Sequence, residues 1–315
     1  MALTLVGKGA ATRQTLYLRR DQLTLTAWLE GPESAPLVML VHGFPDTPHG
    51  WDAVAQGLLA AGYRVLRPWL RGYTPSSVHP DADYDAYAAS LDLLAWQREL
   101  GQQPIHLIGH DWGAIAAMAA VASQPSAWQS LTILAIPPFQ RVERAWRLLP
   151  AQLRNSAYML EMQSLNAVQG IRANECARLR ELWQIWSPGW AFTPEQFAPV
   201  QQAFLEADVA WAATRYYRAL FTPWRGNTRS LYALARRALT VPTLALTGAQ
   251  DGCMQAELFD VLVDPAMFPA GIQCQRLADC GHFLQAEQPQ AVLAALLPHL
   301  VASQRLASPS GVTPA

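Results

Sequence analysis

"IHLIGHDWGAIAAM", residues 105–118, sets the fold: an apolar run of strand length passes straight into an Ala-rich helical run, with a carboxylate, Asp111, at the turn between them. Working outward, the same alternation repeats. "RQTLYLRR" (13–20) and "LTLTAWLEG" (23–31) read as two paired strands around Asp21, and "PLVMLVHG" (36–43) as a short strand bounded by Pro and Gly. "WDAVAQGLLAAG" has helical spacing and a Gly stop. A strand "YRVLRPW", a helix over 84–100, a strand over 105–109, a helix over 112–123 and a strand "LTILAIP" follow. Strands alternating with helices predict an α/β class with a mostly parallel central sheet and helices on both faces.

From 139 to 238 the pattern changes to helical segments without a strand signal: "RVERAWRLLP", "NECARLRELWQIW", "PEQFAPVQQAFLEA", "AWAATRYYRALF" and "LYALARRAL". The α/β pattern resumes with "VPTLALTG", a helix after Met254, the strand "IQCQRLA" and a final helix over Leu284 to Ala302. The expected organisation is a core over 1–138 and 239–302, an all-helical insertion over 139–238, and a flexible Ser/Pro/Gly-rich tail over 303–315.

Composition narrows the function classes. A net charge of −1, with basic residues scattered, offers no footprint for nucleic acid or an anionic membrane. The four cysteines, 176, 253, 274 and 280, have neither C-x-x-C nor Cys/His spacing, so neither a metal site nor a disulfide framework is expected. The N-terminus lacks the apolar h-region of a signal peptide and no run approaches a membrane span, which predicts a cytoplasmic protein. The sequence leaves room for a homodimer.

Four segments fall after predicted strands, where open α/β sheets bind their ligands: "HGFPD" (42–46), "GHDWG" (109–113), "TGAQDG" (247–252) and "DCGHF" (279–283). Gly-x-Asp-x-Gly has the spacing of a strained strand-to-helix turn that pushes its central side chain out over the sheet. Taken alone, Asp111 reads equally as a helix N-cap and Asp251 as a turn residue. Their order with His282, nucleophile then acid then base, favours a catalytic reading. Asp260 and Asp264 are weaker places for the acid because they lie beyond the strand end. Of seven histidines only His282 follows the last predicted strand after a Gly. His42 reads as a brace for the loop of Gly43, Phe44 and Pro45, and His106 as packed within a strand. His49, His79, His110 and His299 have no comparable placement.

At these residues the chain from about 15 to 302 resembles the α/β-hydrolase superfamily, and "HGFP" with "GHDWG" resembles its epoxide hydrolases. The resemblance implies an α/β-hydrolase fold with the helical insertion as a cap. "GHDWG" is shared with haloalkane dehalogenases, many of which carry a polar residue where Phe44 stands. In the epoxide hydrolases two cap tyrosines donate to the epoxide oxygen. "RYYR" (215–218) is similar to their second tyrosine motif and implies Tyr217, with Tyr216 as the alternative. "SAYMLEMQ" (156–163) is similar to the first and implies Tyr158, although Ala157 and Glu161 depart from the pattern.

The chemistry that follows needs no metal or organic cofactor. An epoxide carbon requires backside attack, which an ionised carboxylate can perform without a base. Asp111 would form an ester while Tyr217 and Tyr158 donate to the alkoxide. His282, oriented by Asp251, would then activate a water, and the N–H groups of Phe44 and Trp112 would hold the oxyanion. The expected partners are water and a small hydrophobic epoxide, under a cap holding six of the twelve tryptophans (146, 183, 186, 190, 211, 224). A haloalkane or haloacid dehalogenase with the same Asp nucleophile is the alternative, and a non-catalytic ligand-binding relative is a further one.

Overall fold

A computed structural model describes residues 3–6, 13–100 and 103–307. The strands are β1 (Leu3–Val6), β2 (Gln14–Arg20), β3 (Leu23–Glu30), β4 (Leu37–Val41), β5 (Arg64–Pro68), β6 (Ile105–His110), β7 (Trp128–Leu134), β8 (Thr243–Gly248) and β9 (Ile272–Leu277). They form one nine-stranded sheet in the order β1-β2-β3-β5-β4-β6-β7-β8-β9. From β5 to β9 every neighbour is parallel, and β1, β2 and β3 continue the sheet antiparallel.

Burial explains the strand compositions. β4, β6 and β8 are buried at every position because helices cover both faces, so their sequences are mostly apolar, with His106, His110, Thr243 and Thr247 as buried polar exceptions in β6 and β8. The pleat still divides the side chains: Val38 and Leu40 join one apolar cluster, while Leu37, Met39 and Val41 join the other. The edge strand β9 is mostly exposed.

Three helices in the first half are α1 (Asp52–Ala60), α2 (Ala86–Leu100) and α3 (Trp112–Ser123). α3 is buried almost all round, which its Ala-rich sequence permits. Between β7 and β8 lie α4 (Leu149–Asn155), α5 (Tyr158–Glu161), α6 (Ala167–Trp186), α7 (Pro194–Leu205), α8 (Ala207–Leu220) and α9 (Gly226–Leu234), with no strand among these described residues. Their buried faces, including Tyr158, Leu179, Trp186, Phe204 and Tyr217, belong to the same cluster as the sheet, so the insertion and the core bury their apolar surfaces together. The chain closes with α10 (Glu257–Leu262), α11 (Leu284–Glu287) and α12 (Pro289–Ala307).

Several expected boundaries move. β1 was not expected, being only four residues long with no turn residues framing it on the N-terminal side. The helix expected to start at Asn174 does not: within α6 Ala173 is extended and Asn174 to Cys176 are left-handed, so the helix is broken there and resumes after Cys176. The helix expected over "LYALARRAL" ends at Leu234. The single helix expected over 284–302 is two, because Pro289 disfavours helical backbone at the residue before it, and Gln288 sits at φ −130°, ψ 55°. Its second part runs to Ala307, so the expected tail begins inside a helix, and residues 308–315 lie outside the described residues. Among the described residues no helix is long and apolar enough to cross a membrane.

Candidate active site

β6 delivers Asp111 to the turn before α3 with φ 50°, ψ −120°. That left-handed backbone is strained for a residue with a Cβ, by about 1–3 kcal/mol, and is held by its surroundings. The flanking glycines make it possible, since a Cβ on Gly109 would lie 2.4 Å from the Gly113 carbonyl oxygen. Instead of capping α3 with its side chain, Asp111 turns its carboxylate toward the loop after β4. The Phe44 N–H donates to Asp111 Oδ1 at 2.7 Å, and the Trp112 N–H also reaches the carboxylate. Gly43 allows this approach, because a Cβ there would meet Asp111 Cβ at 2.4 Å.

The loops after β8 and β9 bring up the other two residues of the expected triad. Asp251 Oδ2 accepts from His282 Nδ1 at 2.9 Å, and its Oδ1 accepts the N–H groups of Cys253 and Met254 at 2.7 and 2.8 Å. With Nδ1 donating, the neutral ring keeps its lone pair on Nε2, which faces Asp111 Oδ2 at 3.8 Å. Burial by itself would lower the His282 pKa, but Asp251, with Asp111 and Glu287, outweighs it and raises it. Burial pushes the Asp111 carboxyl up to about 6, against the opposing pull of His282 and the two backbone N–H groups.

Tyr217 on α8 and Tyr158 on α5 meet over this pair, with ring centroids 5.5 Å apart. Tyr217 is also edge-on to Phe44 and Trp112, at 5.2 and 5.0 Å. Its hydroxyl has no partner at hydrogen-bonding geometry, although Tyr158 and the Trp112 indole lie close enough to influence its ionisation. Burial, and then the Asp111 charge, holds the Tyr217 pKa well above the usual phenol value. The Tyr158 hydroxyl reaches the Cys253 thiol at 3.8 Å and lies beside the Tyr217 hydroxyl. Tyr216 faces away: its hydroxyl donates to the Arg71 carbonyl at 3.1 Å. The choice between the two adjacent tyrosines therefore falls on Tyr217.

The remaining loop residues are scaffolding. His42 accepts the Leu70 N–H on Nε2 at 3.1 Å, so Nδ1 carries the proton and donates to the Gly43 carbonyl. Burial lowers its pKa to about 4 and keeps it neutral. The Pro45 carbonyl accepts the Trp183 indole N–H at 2.8 Å. His106 is packed in β6 against Ser130 Oγ, at 2.8 Å. His110, which sequence reasoning set aside, donates from Nε2 to the His282 carbonyl at 2.9 Å, with the two rings 4.9 Å apart. Its partner is 172 residues away, so no local signal marks it. The Trp112 side chain, which the dehalogenase alternative would use as a halide donor, has its indole Nε1 buried beside Tyr217 with no partner at hydrogen-bonding geometry. Of the six tryptophans, Trp183 and Trp186 pack around Phe283 and Trp186 also contacts His282, while Trp146 and Trp224 are 67% and 71% exposed.

The arrangement is closed: Asp111, His282, Tyr158 and Tyr217 are 4%, 0%, 7% and 1% exposed. Cavities elsewhere include one of about 600 Å³ against Asp83, Arg215 and Arg218, one of about 390 Å³ against Ile115, Met118 and Leu231, and one of about 300 Å³ against Arg20 and Arg71, and none of these touches Asp111 or His282. Chemically, the site combines a carboxylate with Oδ1 held by a backbone N–H and Oδ2 facing an imidazole at 3.8 Å, an imidazole oriented by a second carboxylate, and O–H and N–H donors nearby. No group of three or more residues suited to a metal ion occurs among the described residues.

The family model for the alpha/beta hydrolase fold matches residues 36–289. The chain is 27% identical to an epoxide hydrolase of Caballeronia sordidicola over 288 residues, covering 81% of this chain and 84% of that one. The crystal structure of epoxide hydrolase A from Mycobacterium thermoresistibile aligns with a TM-score of 0.74 at 25% identity, covering 92% of this chain and 98% of that one. A fluoroacetate dehalogenase of Burkholderia sp. is 39% identical over 119 residues, 35% of this chain and 39% of that one.

Proposed function

The chain belongs to the α/β-hydrolase family, and on that premise we propose that it hydrolyses a hydrophobic epoxide to a vicinal diol through an ester on Asp111. The observation that carries this reading is the unpaired Tyr217 hydroxyl, buried beside Tyr158 and opposite a carboxylate. A buried O–H without a partner costs about 1–3 kcal/mol, a cost that an epoxide oxygen binding between the two tyrosines would remove.

Asp111 Oδ2 attacks an epoxide carbon, the C–O bond breaks, and the oxygen takes a proton from Tyr217 or Tyr158. Oδ1, which accepts the Phe44 N–H, becomes the ester carbonyl oxygen, with the Trp112 N–H beside the carboxylate. His282 Nε2 then takes a proton from a water that attacks the ester carbon, and the oxyanion forms on Oδ1, where its donors already stand. Collapse releases the diol oxygen, protonated from the imidazolium; one oxygen of water remains in the carboxyl group, and its proton returns to the tyrosinate left by ring opening. The helices between β7 and β8 act as a cap that excludes other water.

A second reading, displacement of halide by Asp111, draws support from the unpaired Trp112 indole N–H and from the similarity to the dehalogenase. The two are separated by offering a styrene-oxide-like epoxide beside a bromoalkane, and by a single turnover in ¹⁸O-water. Epoxide turnover with ¹⁸O appearing first in the Asp111 carboxyl is the expected result. Halide release with no epoxide turnover, or first-turnover diol oxygen drawn straight from solvent, would refute the proposal.

A further inference from the structure

The amides of residues 281–283, the turn that carries His282, are held from outside the turn. Gly281 N–H donates to Glu287 Oε2 at 2.8 Å and Phe283 N–H to Glu287 Oε1 at 2.9 Å. His282 N–H is shared between Ser187 Oγ and the Trp186 carbonyl, both at 3.0 Å. The Ser187 hydroxyl donates in turn to Glu287 Oε1 at 2.5 Å, across 100 residues of sequence. The same Trp186 carbonyl accepts the Gly252 N–H at 3.1 Å, one residue from Asp251. The end of α6 thus grips the acid loop and the base loop at a single peptide. The contact is backbone against backbone: a Cβ on Gly281 would lie 2.5 Å from Ser187 Cα, and one on Gly252 would lie 2.1 Å from the Ile185 carbonyl oxygen.

We infer that Ser187 and Glu287 are positioning residues for His282, holding its backbone so that Nδ1 stays on Asp251 while Nε2 faces Asp111. The inference rests on reading His282 as the base of ester hydrolysis. Both residues act through the amides of 281–283: Ser187 supplies an acceptor from the insertion, and Glu287 orients that hydroxyl while binding the two flanking amides. Glu287 also contributes charge. The groups facing the His282 ring are Asp251, Asp111, Glu287 and His110, and of the three carboxylates Glu287 is the one outside the proposed reaction.

Two variants of the full chain separate position from charge. In Ser187→Ala and in Glu287→Gln, ester formation should keep near wild-type rates, because attack by Asp111 needs no base. Ester hydrolysis should slow by about 10- to 100-fold, since displacing a reacting group by ~1 Å costs up to about 10² in rate. The ester then accumulates. Hydrolysis requires neutral imidazole, and the Glu287 charge favours imidazolium, so Glu287→Gln should also move the acidic limb of its pH profile to lower pH. Ser187→Ala keeps the charge and should leave that limb in place.

Equal slowing of both half-reactions, or a lower melting temperature with both rates intact, would overturn the inference and leave a merely structural contact. If Glu287→Gln does not fold, Ser187→Ala carries the test, since the Trp186 carbonyl still holds the His282 amide. The downfield ¹H resonance of the His282 Nδ1–H supplies a readout free of substrate, expected to shift or broaden in both variants. A wild type inactive on every epoxide would remove the proposed function, and this resonance would still decide the positioning role: unchanged in both variants, it refutes it.

Discussion

Tyr217→Phe should make this protein more stable and much less active. The ring itself stays, wedged between Phe44, Trp112 and Tyr158 at centroid distances of 5.2, 5.0 and 5.5 Å. What is lost is a hydroxyl that is buried and has no hydrogen-bond partner. Relieving an unpaired buried hydroxyl contributes about 1 kcal/mol, the low end of the range for such groups. In a chain of 315 residues, with an unfolding entropy of about 2.1 cal/mol/K per residue, that is a rise in Tm of about 1–2 °C. The same hydroxyl is the proposed acid for ring opening, and general acid assistance is worth about 10²–10⁴ in rate. The barrier therefore rises by about 3–5 kcal/mol while folding gains about 1. Stopped-flow tryptophan fluorescence, reporting through Trp112, and thermal unfolding measure the two sides. Tyr216→Phe is the control, since it loses a 3.1 Å hydrogen bond to the Arg71 carbonyl. That variant should lose about 0.5–1.5 kcal/mol of stability and keep its ring-opening rate. A Tyr217→Phe protein that melts lower than wild type and still opens epoxides at full rate would show the hydroxyl to be structural, and the argument from its unpaired state would be wrong.

Two further outcomes follow from the buried charges. The Asp111 carboxyl is raised from 3.8 to about 6, so its contribution to stability is complete below its unfolded pKa and is lost as pH rises through the folded one. Asp111→Asn cannot ionise and should gain on wild type as pH rises from about 4 to about 6 and keep that gain above it, by at most about 3 kcal/mol for a shift of about two pKa units; denaturant curves showing a pH-independent difference would contradict the burial argument. His282→Gln removes the base but not the nucleophile, so after incubation with a substrate epoxide its intact mass should increase by the mass of that epoxide, and a variant that binds the epoxide yet stays unmodified would count against the assigned division of labour.

The sheet was legible because fully buried parallel strands and Ala-rich helices differ sharply in run length and composition, as in β6 and α3. The positions of Asp111, Asp251 and His282 were legible because each follows a strand at its C-terminal end. The resemblance singled out Tyr217, but periodicity alone did not separate it from Tyr216, because both are buried and which one faces the site depends on how α8 is rotated against its neighbours. His110 and Ser187 left no local trace, since their partners come from loops and helices far along the chain, and Glu287, though it accepts the nearby Gly281 and Phe283 amides, is joined to Ser187 across 100 residues. The break before Pro289 was written in the sequence, but the apolar periodicity on either side of it reads as continuous.

The brace at Trp186 and Ser187 limits how freely this molecule can be redesigned. The helices enter after β7 and leave before β8, so along the chain they look like a cassette to be exchanged for another with a different binding preference. In space the cassette is bolted to the loops on which Asp251 and His282 stand. A graft that replaced the whole of it would also replace the anchor of those loops. Redesign of the binding chamber should therefore work on the inward faces of α5 and α8, leaving residues 185–187 with the glycines at 252 and 281 as an inherited unit.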